Sequence, residues 1–287
     1  MTPASPEQLK DAVREAWDAS ASGWNRQTPA IHHWLVAPTA ALLDAARIGP
    51  GMRVLDIAAG AGDQTLDIAH RVGESGRVLA TDISPAILKF ASEKARQAGL
   101  AQVHTQVSDA EDLMLEETGF DAAVCRLGLM LCPDPLRALQ QMHRVLRPGG
   151  HAAVLVFSEP QHNPCLGILM TTALRHAGLA PRDPFGPGGL LSLGKPGLLQ
   201  AYFSDAGFAG VTTECIYAPF HWPTARDYLH FVRTSASPIL QILGHLNPEA
   251  REEAWADMEE QLEVFQLPGG WEGPNELLLA AGSKALA

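Results

Sequence analysis

Residues 54–65 read VLDIAAGAGDQT: four apolar or acidic residues of strand character, a glycine-rich turn, and the start of a helix. Glycines at this junction let the backbone approach a ligand closely, and the free N–H groups of a helix start favour a polar or anionic group. The segment alone therefore points to a nucleotide-like ligand. A dinucleotide fingerprint would need a third glycine where Thr65 stands, which opposes a nicotinamide-dependent oxidoreductase.

Around it, short apolar runs alternate with stretches of helical period: MRVLDIA from 52, RVLAT from 77, AQVHTQV from 101, FDAAVC from 120 and HAAVLVF from 151. Such alternation predicts a Rossmann-like α/β fold, a mostly parallel sheet with helices on both faces. Ser84-Pro85 has the form of an N-cap and first helical residue, and Gly99 that of a helix stop. Asp134 before Pro135 reads as another cap.

Leu9, Val13, Ala16 and Trp17 carry amphipathic-helix spacing in the first segment. Thr28-Pro29 then reads as the start of a second helix, which Pro38 should interrupt. After residue 160 the rhythm loosens. A helix near 165–178 is followed by the loop PRDPFGPGGLLSLGKPG from 181, a helix near 196–206, a strand near 210–217, a mainly helical segment over 224–266, and NELLLAAGSK from 275 as a last strand. The expected organisation is an N-terminal helical lid over 1–47, a ligand-binding core over 48–160, and an insert with a helical cap and the last two strands over 161–287.

The chain has 287 residues, enough for a large core, and 32 acidic against 21 basic residues give a net charge of −11. That charge repels a phosphate backbone or an anionic bilayer, so nucleic acid is not an expected partner. There is no run of about 18 apolar residues to insert in a membrane, and the first residues lack the basic and apolar regions of a secretory leader, so a cytoplasmic location is expected. Cys125, Cys132, Cys165 and Cys215 stand singly, without metal-ligand spacing, and are read as reduced thiols with no metal.

Three acids follow the first three strands of the glycine-loop region: Asp56, Asp82 and Asp109. Carboxylates at the C-terminal edge of adjacent parallel strands face the ligand crevice, which favours S-adenosylmethionine (SAM). In that reading Asp82 accepts hydrogen bonds from the ribose hydroxyls and Asp109 one from the adenine amino group.

These residues, with RVLRPGGHAAVLVFSEP over 144–160, resemble the SAM-dependent methyltransferases of class I, and among them the ubiquinone/menaquinone-biosynthesis C-methyltransferase type. The resemblance runs from about residue 50 to 160. It implies a seven-stranded sheet whose last strand is antiparallel and lies between strands five and six. It also implies that Gly60, Ala61 and Gly62 line the methionine part of SAM, that Ile83 lies against the adenine, that Asp109 and Ala110 sit at the adenine, and that Arg126 borders the cofactor. Where the quinone enzymes show an Arg-Asn pair after Gly-Leu, this chain has Gly128-Leu129-Met130-Leu131, so apolar groups replace polar ones.

Methyl transfer to a small, fairly apolar metabolite is the activity expected, yielding S-adenosylhomocysteine (SAH). A catalytically silent SAM-binding or scaffold module is the alternative, and a homodimer is the one protein partner considered. His162, directly after the fifth strand, is the candidate general base. Trp24, His32, His33 and Met130 are the candidate substrate-pocket residues, whereas Trp17 and Trp255 read as core. The N-terminal helices are expected to cover the acceptor while the glycine loop and Asp82 hold the cofactor.

Overall fold

The computed structural model describes residues 6–115 and 118–286. A long helix α1 (Pro6–Ala45) precedes β1 (Arg53–Ile57), α2 (Asp63–Val72), β2 (Arg77–Asp82), α3 (Pro85–Gln97), β3 (Val103–Val107), β4 (Phe120–Arg126), α4 (Pro135–Val145) and β5 (Leu146–Phe157). Then come α5 (Pro164–His176), α6 (Leu198–Asp205), β6 (Ala209–Tyr217), β7 (Phe220–Trp222), α7 (Ala225–Ser235), α8 (Ser237–Gly244), α9 (Pro248–Leu262), β8 (Gln266–Leu267), β9 (Gly270–Gly273) and β10 (Glu276–Ser283).

Seven strands form one sheet in the order β3-β2-β1-β4-β5-β10-β6. β1 to β5 are parallel, and β10 runs antiparallel between β5 and β6, as the resemblance implies. Ile57, Thr81 and Cys125 stand in register, so the C-terminal ends of β1, β2 and β4 share one edge. The central strands are apolar on both faces because helices cover both; Val54, Leu55, Ala122 to Val124 and Ala152 to Val156 are fully or almost fully buried.

The expected caps are in place. Ser84 Oγ accepts the Ile87 N–H at 3.1 Å, and Asp134 Oδ1 accepts that of Arg137 at 3.0 Å. Gly99, at φ +70°, follows the end of α3.

The first helix corrects one expectation. α1 runs unbroken through Thr28-Pro29 and Pro38. An interior proline costs a helix about 3 kcal/mol, but α1 buries Ile31, Leu35, Leu42 and Leu43 against the sheet core, which offsets that cost. Thr28 is not a cap; its hydroxyl accepts from Lys94 Nζ of α3 at 2.9 Å. Val13, Ala16 and Trp17 all lie on α1, and Leu9's side chain is outside the described residues.

The helical region after residue 224 has a core of its own, built by α5, α7, α8 and α9 around Tyr228, Trp255 and Trp271. Tyr228 stacks on Trp271 with ring centroids 4.7 Å apart. Trp271 belongs to a small sheet, β7-β9-β8, which the sequence reading does not foresee. Strands of two to four residues are too short for an alternating pattern to register. Among the described residues no helix is long and apolar enough to cross a membrane.

Candidate functional site

A cavity opens at the C-terminal edge of β1, β2 and β4, beneath the first half of α1. Asp82, at the end of β2, organises its floor. One carboxylate oxygen accepts the Gly60 N–H at 3.0 Å and the other the Ser84 N–H at 2.9 Å, which ties the glycine loop to the start of α3. Burial pushes the Asp82 carboxyl up to about 6, against these backbone hydrogen bonds. Ile83, Ser108, Asp109 and Ala110 continue the wall, and Ser108 Oγ is buried without a hydrogen-bond partner among the described residues.

Two residues beside the cavity carry backbone strain. Ala58, just past β1, and Leu127, just past β4, have φ of 53° and 57°, values that cost a residue with a side chain about 1–2 kcal/mol. Such strain concentrates where a fold holds a ligand. Gly60, at φ +57°, faces the cavity: a Cβ built there meets only Trp24 Nε1 at 3.5 Å and Ile87 Cδ1 at 4.0 Å.

The other glycine-loop residues act differently from their expected part. Ala61 is fully buried against Ala21 and Ile87 rather than facing the cavity. Gly62, at φ +87°, is where α2 crosses α3, and a Cβ there would lie 2.6 Å from that of Ala91. Asp56 also sits below the cavity. Fully buried, it accepts hydrogen bonds from Thr65 Oγ1 (2.6 Å) and the Gln64 amide, and so braces the loop from beneath.

Burial pushes the Asp56 carboxyl up to about 7, with the Thr65 and Gln64 hydrogen bonds opposing. Gln64 Oε1 has no hydrogen-bond partner among the described residues. An asparagine at 56 can donate to that oxygen with the Gln64 amide reversed. A folded-state value raised above the unfolded one means that the native state holds the proton more tightly. Stability therefore falls as pH rises from about 4 to 7, and the whole cost is present above 7. Asp56→Asn should accordingly unfold later than the parent at pH 8, by at most about 4 kcal/mol, with the gain vanishing near pH 4. Urea denaturation at the two pH values measures this, and a variant less stable at pH 8 would contradict it.

Arg126 lines the cavity at the end of β4, but its guanidinium is committed elsewhere. It bonds Asp63 Oδ2 of α2 at 2.5 Å and Thr39 Oγ1 of α1 at 2.8 Å. α1 supplies Lys10, Val13, Trp17 and Trp24 to the same cavity. Lys10 Nζ pairs with Asp109 at 2.6 Å and Glu111 at 2.7 Å, and Asp18 accepts from Ser84 Oγ and from the Ala86 N–H at 3.2 Å. Trp17 and Trp24 meet edge to face, 5.2 Å between centroids. Two expectations change: Trp17 is a wall of the cavity rather than core, and α1 lines the same cavity as Asp82 and Gly60. Lys10 and Ser108 carry no sequence signal that marks them, apart from the place of Ser108 beside Asp109.

The remaining candidates lie apart. His162 Nδ1 faces Glu276 Oε1 at 2.8 Å on the exposed rim of β10 and does not line this cavity. The turn after β5 is fixed by buried Asn163, whose amide bonds both the Glu276 N–H and its carbonyl, and this turns His162 outward. His32 faces Asp67 of α2 at 3.3 Å. His33 lines a separate aromatic cleft with Trp34 and Trp222. Met130 is buried in the main core, and its neighbour Leu131 takes the place expected of it at the cavity. Among the described residues no cluster of His, Cys, Asp and Glu has the form of a metal site.

Residues 33–168, a little under half the chain, match the model of the ubiE/COQ5 methyltransferase family. The ubiquinone/menaquinone biosynthesis C-methyltransferase of Shewanella sp. (strain ANA-3) is 43% identical over 114 residues, 39% of this chain and 45% of that protein. The corresponding protein of Idiomarina loihiensis is 40% identical over 119 residues, 41% and 47% of the two chains. The chain thus spans about half the length of these curated relatives. The fold is shared more widely. The YcgJ protein of Bacillus subtilis superposes with a TM-score of 0.58 at 21% identity, over 89% of this chain and all of that one. A phosphoethanolamine N-methyltransferase of Haemonchus contortus, solved with SAH, gives 0.57 at 14% identity over 99% of this chain and 61% of that one. The class I methyltransferase resemblance and the seven-stranded fold read from the sequence are both borne out.

Proposed function

We propose, from the resemblance of residues 33–168 to the ubiE/COQ5 methyltransferase family, that this protein transfers a methyl group from SAM to a small organic molecule. The observation that carries the reading is Asp82: a buried carboxylate at the edge of β2, aimed into a cavity, whose oxygens each accept one backbone N–H and keep lone pairs for two further donors. Ribose hydroxyls are such a pair of donors. The unpartnered Ser108 hydroxyl and the open space at Gly60 fit the same ligand.

When bound, SAM supplies a methyl group activated on a sulfonium sulfur, and transfer leaves the neutral thioether SAH. The chain's own work is to bind, orient and exclude water; orientation alone supplies about 7–11 kcal/mol of such a barrier. Asp82 fixes the sugar, Ile83 and Ala110 offer apolar walls to the base, and Gly60 leaves room for the backbone to approach. The cavity is about 120 Å3 as it stands, less than the ~300–1,000 Å3 of most ligand sites. Lys10 and Trp17 of α1 form one wall of it, and Lys10 is paired with Asp109. The quinone ring named for the relatives belongs to those proteins; for this chain a small, fairly apolar acceptor is the reading, since Met130 and Leu131 stand where those enzymes have polar groups.

Calorimetry with SAH tests the proposal. The wild type should bind, and Asp82→Ala should weaken binding by about 1–3 kcal/mol, the worth of hydrogen bonds to an ionised group. Because the carboxylate is the form that accepts, affinity should hold above pH 6 and fall up to about tenfold per unit below it, a slope that Asp82→Asn abolishes. Absence of SAH binding would end the reading, and an unchanged affinity in Asp82→Ala would remove Asp82 from it.

A further inference from the structure

A second cavity, about 310 Å3, adjoins the first. The two share Val13 and Trp17 of α1 and Leu131 after β4, so these three residues form the junction. Beyond the junction the walls are mostly apolar, with Met170 of α5 and Ile242 of α8 among them. Arg182, Gln241 and His245 also line the cavity. No hydrogen bond or ion pair holds any of these three side chains among the described residues. Of the lining residues Leu131 alone falls inside 33–168, the segment matched to the quinone-methylating family. The chamber is therefore this chain's own, assembled from the first half of α1, the loop over 181–197, and α8.

We propose that this chamber holds the methyl acceptor, and that the acceptor is a small aromatic or aliphatic carboxylate whose charged end meets Arg182 and whose reacting atom lies at the opposite end, against the junction. The argument is one of charge and shape. The chain's net charge of −11 repels an anion from most of its surface. An exposed guanidinium on the wall of a mostly apolar chamber reverses that locally, and its fork suits a carboxylate in two parallel hydrogen bonds. Gln241 on α8 and His245 just past its end add N–H donors. The volume is at the small end for ligand sites, which fits one ring or a short chain. The proposal rests on the methyl-transfer reading above, since that reading gives the junction its meaning.

The test uses an isosteric pair, 4-hydroxycinnamate and its neutral amide, titrated into the full-length protein saturated with SAH. The acid should bind about tenfold more tightly than the amide, and Arg182→Gln should erase the difference. Filling the chamber with Ala16→Trp, or from the exposed side with Gln241→Trp, should abolish binding of both probes and leave SAH affinity unchanged. Equal binding of acid and amide by the wild type, no binding of the acid, or acid binding that survives both filling variants would overturn the proposal while leaving methyl transfer standing. Failure of the wild type to bind SAH would overturn the methyl-transfer reading itself, and the acceptor chamber with it.

Discussion

Replacing Arg126 with Met should cost about 3 kcal/mol or more of folding free energy, because it leaves Asp63 buried without its ion-pair partner. The two side chains are 7% and 5% exposed. Breaking such a pair from one side usually costs about 3–5 kcal/mol, since the remaining charge is desolvated without compensation. Here the lower end is expected. Asp63 opens α2, where the helix dipole favours an anion, and the positive charge of Lys94 also acts on it. The loss reaches beyond the pair, because Arg126 also holds Thr39 of α1 and so joins β4, α2 and α1 at one point. Urea denaturation measures it. The double variant Arg126→Met with Asp63→Leu should regain part of the loss, and a single variant within about 1 kcal/mol of the wild type would show the pair to be energetically idle.

Gly60→Val should lose SAH affinity by at least about 100-fold, roughly 2.8 kcal/mol, while keeping the fold. The strain of a β-branched residue at φ +57° is about 1–2 kcal/mol, which a chain of this size tolerates. Its Cβ would lie at the cavity wall, 3.5 Å from Trp24 Nε1 and 4.0 Å from Ile87 Cδ1, so its methyl groups take space a ligand needs. Gly62→Val should do the reverse and fail to fold, since the new Cβ meets the Cα of Ala91 at 2.7 Å. Calorimetry and thermal melts of the two variants separate a glycine that faces ligand from one that packs helices. Normal SAH affinity in Gly60→Val would place the ligand elsewhere.

That contrast also marks what the sequence can and cannot disclose. The strand runs, the caps at Ser84 and Asp134 and the last strand of the sheet are legible because each rests on neighbours in the chain: a period, a cap and its third residue, a turn. Asp82 and Asp109 are legible as wall residues because an acid ending a parallel strand has one place to be. Asp56 has the same local pattern, yet the Thr65 hydroxyl and Gln64 amide, brought back beneath it by α2, draw it under the floor. Trp17 and Lys10 depend on where α1 lies across the sheet edge, and that follows from an unbroken helix which Pro29 and Pro38 argue against locally. His162 illustrates the converse. It follows β5 at the right edge, but Asn163 beside it is the residue whose buried hydrogen bonds to β10 decide the direction of the chain.

The insertion of β10 between β5 and β6 sets the order in which this molecule can be completed during synthesis. Among the described residues β6 pairs with no strand except β10, and the apolar run of β5 has one edge bare until β10 covers it. At about 5–20 residues per second, on the order of 3–13 s pass between the making of residue 217 and that of residue 283. Through that interval β1 to β5 can already associate, while the β5 edge, Ala152 to Phe157, presents unpaired backbone groups to any other strand. The nascent chain is thus most prone to self-association after the edge that carries the glycine loop has formed and before its sheet is closed.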